Sequence, residues 1–253
     1  DIGVCIIFLI MPLLFYIYGA FYKEIFNTSD KITYSHKVRA IGANISLDRF
    51  YSNIDPVLVI KDLIDISDPN KNEKIIFVWP EGILPDISQK ELVEYSWLFK
   101  ESFGDSHYLV IGINNQTFEN ANINHYNTLS IYDGDLNLLN SYNKVNLVPF
   151  GEFLPFERIL KKIGFRTITN NYQSFSRGNK REIIQLSKEN FSLKILPLIC
   201  YEIIYSGKLF KNSNFDLIIN ISEDGWFGKS IGPKQHFVHS IFRAVESGKY
   251  ILR

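Results

Sequence analysis

Cysteine is scarce in this chain. Its 253 residues carry two, Cys5 and Cys200, too few for the disulfide framework of a small secreted scaffold. Net charge is lacking as well, because 27 Lys and Arg balance 27 Asp and Glu. A nucleic-acid binder ordinarily shows a basic excess, so no nucleic-acid partner is expected. Metal ligands are sparse too. His236 and His239 sit three residues apart with no third ligand nearby, and they read as packing or solvent-facing histidines; no metal and no cofactor is expected. No internal repeat or low-complexity segment is evident. What is present is apolar: 46% of residues are hydrophobic and 21% charged, which permits a substantial core and makes disorder a poor default. The length suits one large α/β domain with a short appendage.

That appendage is the first stretch. Residues 3–22 read GVCIIFLIMPLLFYIYGAFY without a charge. At about 1.5 Å per residue such a helix spans roughly 30 Å, the thickness of a bilayer's hydrocarbon core. Pro12 sits inside the run as a kink site, and Tyr16, Tyr18, Phe21 and Tyr22 crowd one end as an interfacial belt does. A signal peptide is the alternative, but it needs a shorter apolar region, a basic lead and a small-residue cleavage site. The expectation is a transmembrane helix over residues 1–24, as the end of a membrane domain in a longer protein, with Cys5 in the lipid phase. A linker over 25–37 and a catalytic domain over 38–253, incomplete at its C-terminus, follow.

Within 38–253, short and almost continuously apolar runs alternate with helical spacings. Strands are expected at 38–45, 75–79, 108–113, 183–185, 191–193, 194–199 and 216–221, with a further one beginning at 250. Helices are expected at 51–67, at 89–103 behind a Ser88/Glu91 capping box, at 156–166 and at 236–248. Asp133-Gly134 between 128–132 and 136–142 marks a hairpin. This pattern implies a layered α/β domain with helices outside sheets.

Three polar residues stand directly after strands: Glu81, Lys144 and Cys200. Each has an ordinary reading alone, as a turn glutamate, an exposed hairpin lysine and a small buried hydrophobe. Together they form a workable acyl-transfer site without histidine. A carboxylate accepts the thiol proton, a lysine ammonium stabilises thiolate and oxyanion, and the Tyr201 backbone N–H is placed to be a second oxyanion donor.

Three ordered motifs, Trp79-Pro80-Glu81-Gly82, then Tyr142-Asn143-Lys144-Val145 with Pro149-Phe150-Gly151-Glu152, then Ile199-Cys200-Tyr201-Glu202, resemble the nitrilase, or carbon–nitrogen hydrolase, superfamily. The resemblance covers about residues 38–253 and implies an αββα sandwich with a Glu81-Lys144-Cys200 triad. It also implies a supporting Glu152, with Tyr201 and Glu202 assisting the site. More narrowly, PFGEFLPF and DGWFGKSIGPKQHF behind a membrane helix resemble the apolipoprotein N-acyltransferase family of Gram-negative bacteria. That family implies a ping-pong reaction. Cys200 takes an acyl chain from a phospholipid, phosphatidylethanolamine, and the thioester then passes it to the α-amino group of a diacylated apolipoprotein's N-terminal cysteine. It also implies the inner membrane, with the domain on its periplasmic face. The family shows Asn-Asp where this chain has Glu223-Asp224. A nitrilase-type amidase hydrolysing a small amide, or an inactive truncated remnant, is the alternative.

Two apolar features stay open. Residues 145–156 (VNLVPFGEFLPF) either pack beneath the domain or form an arm entering the bilayer, with Phe150, Phe153 and Phe156 as its aromatics. Trp226 and Phe227 are either core residues or part of an acyl pocket. The basic, amphipathic 156–166 segment suits a membrane interface.

Overall fold

The computed structural model describes residues 2–28, 33–50, 54–119, 122–160, 162, 164, 174–188, 191–207, 209 and 214–253. Residues 1–35 form one unit and residues 36–253 a second.

The first unit is helix α1 (Ile2–Thr28), with Pro12 inside it. Residues 6–28 are long and apolar enough to cross a membrane. The helix continues through 25–28, where a linker was expected. Ile25 and Phe26 extend the apolar run, and the Thr28 hydroxyl closes the last turn on the Glu24 carbonyl at 2.9 Å.

The second unit stacks two sheets between helices. Strand β1 (Lys37–Ala40) is shorter than the expected 38–45, because the strand it pairs with ends at Val78, opposite Ala40. Helix α2 (Pro56–Ser67) begins five residues later than its spacing predicts. Asp55 caps it by accepting from Val57 N at 2.9 Å, and Pro56 occupies a first-turn position where no N–H is needed. Residues 51–53 of the expected helix lie outside the described residues. Strands β2 (Ile75–Val78) and β3 (Leu84–Ser88) follow; β3 was not expected, since Pro85 breaks its pattern. The Ser88/Glu91 box is present: Glu91 Oε2 accepts from Ser88 N at 2.8 Å, and Glu91 N donates to the Ser88 hydroxyl at 3.4 Å. It leads into a 3-10 turn over Glu91–Tyr95 and then helix α3 (Ser96–Ser102) rather than one long helix. Strands β4 (His107–Glu119) and β5 (Asn122–Asp133) make a hairpin much longer than its apolar part, and β6 (Leu138–Asn143) adds the next antiparallel neighbour. The sheet order is β1-β2-β4-β5-β6, with β3 on β4.

Of the expected 156–166 helix, α4 (Glu157–Leu160) is present; Lys161, Ile163 and Arg166 lie outside the described residues. Strands β7 (Ile184–Lys188), β8 (Phe191–Ile199) and β9 (Leu217–Ile221), helix α5 (Gly232–Ser247) and strand β10 (Tyr250–Leu252) build the second sheet, ordered β10-β9-β8-β7. The expected strands at 191–193 and 194–199 are the single β8.

Alternation sorts the side chains into layers. Phe77, Leu109, Ile111 and Tyr132 face outward into a buried cluster with Ile60 and Leu63 of α2 and with Leu98 and Phe99 of α3. Trp79 closes that layer, its indole N–H donating to the Ser67 hydroxyl at 3.0 Å. On the second sheet Leu196, Leu198 and Ile218 pack outward with Ile203 and Phe215. Between the sheets the fit at Gly112 is tight. A Cβ there would meet the Glu81 Cα and the Pro80 carbonyl at 2.5 Å and Ile221 Cδ1 at 2.9 Å. The glycine thus lets the turn carrying Glu81 and the second sheet both close onto β4. Gly112→Ala is expected to destabilise the protein by about 1–3 kcal/mol through overpacking. A thermal melt reads this as a fall in Tm, and an unchanged Tm contradicts the packing.

Candidate functional site

The strand ends converge. Strands β2, β4 and β1 are parallel, β6 returns to their direction after two antiparallel steps, and β8 and β9 run parallel to each other. Glu81 lies in the turn beyond β2, Lys144 directly after β6, Cys200 directly after β8 and Glu223 just beyond β9. The Glu223 N–H donates to Glu81 Oε2 at 3.0 Å, which ties the two sheet edges together.

Lys144 is 1% exposed. Its Nζ lies 2.8 Å from Glu152 Oε1 and 3.4 Å from Glu81 Oε1. Asn127 of β5 donates through Nδ2 to both carboxylates, at 2.7 Å to Glu81 and 2.9 Å to Glu152. The second Glu152 oxygen accepts from Val148 N at 2.9 Å, so the turn that carries Glu152 also holds it. Burial alone would lower the Lys144 pKa, but the charges of Glu81 and Glu152 outweigh it and raise the pKa above the usual lysine value. The ammonium therefore persists in a buried place because two carboxylates face it.

Cys200 is partly exposed and opens a 3-10 turn over Cys200–Ile204. Its φ is +49, in the left-handed region that costs a non-glycine residue about 1–3 kcal/mol. Its carbonyl accepts from Asn220 Nδ2 at 3.2 Å and lies 3.1 Å from His236 Nε2. Burial, and after it the Glu81 charge, push the thiol up to about 12, against the opposing pull of Lys144 and of a hydrogen bond with Ser222.

Glu202, two residues on, is fully buried. It accepts from Ile199 N at 3.0 Å, from Val145 N and Asn146 N at 3.0 Å each, from Tyr142 OH at 2.8 Å and from Arg181 Nη2 at 2.7 Å. It thereby fastens the end of β8 to the segment that follows Lys144.

A cavity of about 430 Å³ opens over these groups. Glu81, Lys144, Glu152, Cys200 and Tyr201 line it, with Phe50, Phe150, Phe175, Trp226 and Phe227 among its apolar walls. Of the aromatics singled out in the sequence, Phe150, Trp226 and Phe227 face this cavity; Phe153 and Phe156 do not, and Phe156 is 82% exposed. Glu202 lies beneath the site rather than on its wall. Sequence reasoning missed Asn127, Arg181 and Asn220, polar residues with no local pattern to mark them, and gave Asp224 no role although it opens one of the motifs. It read His236 as a packing or solvent-facing residue; the ring is buried and also bridges Cys200 and Asp224.

The profile of the carbon–nitrogen hydrolase family matches residues 106–253. The apolipoprotein N-acyltransferase of Caulobacter vibrioides is 36% identical over 184 residues, covering 70% of this chain and 34% of that protein. That of Wigglesworthia glossinidia brevipalpis is 34% identical over 227 residues, 87% of this chain and 44% of that protein. The chain thus spans less than half the length of these curated relatives. Among solved structures, Saccharomyces cerevisiae Nit3, a member of branch 10 of the nitrilase superfamily, matches with a TM-score of 0.53 at 18% identity, over 88% of this chain and 77% of that one. At that identity the likeness concerns the fold. With a strand-edge site of this geometry and a profile match over more than half its residues, the chain belongs to the carbon–nitrogen hydrolase family.

Proposed function

We propose that residues 38–253 are the catalytic domain of a membrane-bound acyltransferase. It moves a fatty acyl chain from a phospholipid, through a thioester on Cys200, to the N-terminal α-amino group of a diacylated apolipoprotein. One observation carries the reading: a thiol, a carboxylate and a buried ammonium meet at one cavity with aromatic walls. Two further features support it. The relatives named apolipoprotein N-acyltransferase share about a third of their residues with this chain over the matched regions, and α1 is long and apolar enough to anchor the protein in a membrane. In this reading the membrane is the bacterial inner membrane, the domain faces the periplasm, and phosphatidylethanolamine is the donor.

The chemistry divides among the residues as follows. Glu81 removes the Cys200 proton as Sγ attacks the ester carbonyl. Lys144 and the Tyr201 N–H stabilise the oxyanion, and Glu152 with Asn127 keeps Lys144 and Glu81 aligned. As the C–O bond breaks, the proton on Glu81 passes to the departing lysophospholipid alkoxide. In the second half the acceptor amine attacks the thioester and gives its proton to Glu81. The C–S bond breaks, and the thiolate recovers a proton from Glu81. Glu202 takes no part in these transfers; it holds the loop after Lys144 against the turn carrying Cys200. The exposed segment with Phe150 and Phe156 meets the bilayer and admits the acyl chain.

The test is transfer by the full-length protein. Labelled phosphatidylethanolamine and a diacylated lipopeptide should yield labelled triacylated peptide, and Cys200→Ala should reduce it to background. Donor left intact while a small amide is hydrolysed overturns the assignment in favour of an amidase. A second expectation separates the roles of Glu81. Its charge raises the Cys200 pKa, so Glu81→Gln lowers that pKa and enlarges the thiolate fraction at pH 8. Alkylation of Cys200 by iodoacetamide should therefore quicken, while acyl transfer falls by about 10²-fold or more for want of a base. Parallel changes in the two rates contradict this division.

A further inference from the structure

The left-handed turn at Cys200 needs something to hold it, and two side chains converge on its carbonyl oxygen. Asn220, near the end of β9, donates through Nδ2 at 3.2 Å, and His236, near the start of α5, brings Nε2 to 3.1 Å. A carbonyl only accepts, so Nε2 carries a proton whatever the state of the other ring nitrogen. The ring is 4% exposed. Its Nδ1 lies 2.9 Å from Asp224 Oδ1 and 2.7 Å from Arg253 Nη2. The same Arg253 nitrogen donates to both Asp224 oxygens, at 2.8 and 2.7 Å, and the Ser222 hydroxyl donates to Asp224 Oδ1 at 3.0 Å. The imidazole is thus held at both nitrogens and cannot turn without breaking this cluster. None of Asn220, Asp224, His236 and Arg253 lines the cavity, so a substrate there does not meet them directly.

We propose that His236 is a positioning residue for the nucleophile: with Asn220 it locks the Cys200 carbonyl, and so keeps the strained turn that points Sγ and the Tyr201 N–H into the cavity. Asp224 and Arg253 set the angle of the imidazole. The inference rests on Cys200 being the nucleophile of the function proposed above. It goes beyond that function by giving the Asp224, His236 and Arg253 cluster a task in acylation rather than in packing alone.

The experiment compares the full-length parent, His236→Phe and His236→Gln. Phenylalanine keeps a flat ring of similar size without the donor, whereas glutamine restores an N–H within reach of the carbonyl. Two rates are read: alkylation of Cys200 by iodoacetamide at pH 8, which needs no lipid, and acyl transfer as a function of phospholipid concentration. His236→Phe should alkylate about tenfold faster, because a misdirected Sγ leaves the burial and the Glu81 charge that hold its pKa up. Its maximal transfer rate should fall at least tenfold while the half-saturating phospholipid concentration stays put. His236→Gln should bring both rates most of the way back to the parent. A purely structural role predicts the reverse order of the two variants, since glutamine fills the place of the ring less well than phenylalanine does; an unchanged alkylation rate in His236→Phe therefore overturns the proposal. So does a His236→Gln protein that alkylates as fast as His236→Phe. If His236→Phe does not fold, Asn220→Leu removes the other donor from the same carbonyl, and a parent-like rate there overturns it equally. If the parent itself transfers no acyl chain while the alkylation rates follow the expected order, the acyl-transfer reading fails and the positioning role stands.

Discussion

The site depends on one buried carboxylate, that of Glu202. It is fully buried, and its two oxygens accept from three backbone N–H groups, a phenol and a guanidinium. A carboxylate without water survives only when it is satisfied in this way, and removing one partner of such a buried pair costs about 3–5 kcal/mol. Its donors come from β6, the segment after Lys144, the end of β8 and Arg181. Lys144 hangs from the first sheet and Cys200 from the second, and no covalent feature sets their separation. Glu202 sets it, because Val145 N and Ile199 N, the neighbours of those two residues, bind the same side chain.

A second carboxylate network does similar work above it. Glu152 and Glu81 share Asn127 and face Lys144. These neighbours favour the charged form of the ammonium, while burial and the Glu81 charge raise the pKa of the Cys200 thiol. Strain at Cys200 and tight packing at Gly112 fit the same picture of two sheet edges pressed together to bring three side chains to one point.

Glu81 and Cys200 could be read from the sequence because each follows an apolar strand end, and burial on both faces leaves the first polar residue beyond the strand conspicuous; Lys144 could be read because it follows directly on a hairpin strand. The hairpin and the Ser88/Glu91 capping box were legible for a similar reason, being encoded within a few residues. The rest was hidden by distance or by local noise. Asn127 meets Glu81 across 46 positions and His236 meets Cys200 across 36, and nothing near either residue announces that bond. Strand β3 was masked by Pro85. The outer half of the β4–β5 hairpin is polar, because it pairs with itself beyond the core. Helix α2 was overextended because apolar spacing outweighed the Asp55-Pro56 start signal.

The central claim is that this arrangement makes Cys200 an acyl carrier. It is tested most directly by peptide mass spectrometry of the full-length protein after incubation with phosphatidylethanolamine and no acceptor. The account predicts one acyl chain on the peptide carrying Cys200 in the parent, and none in a folded Glu202→Gln variant. An unmodified Cys200 in a parent that still transfers acyl chains, or an acyl group carried elsewhere, would contradict it.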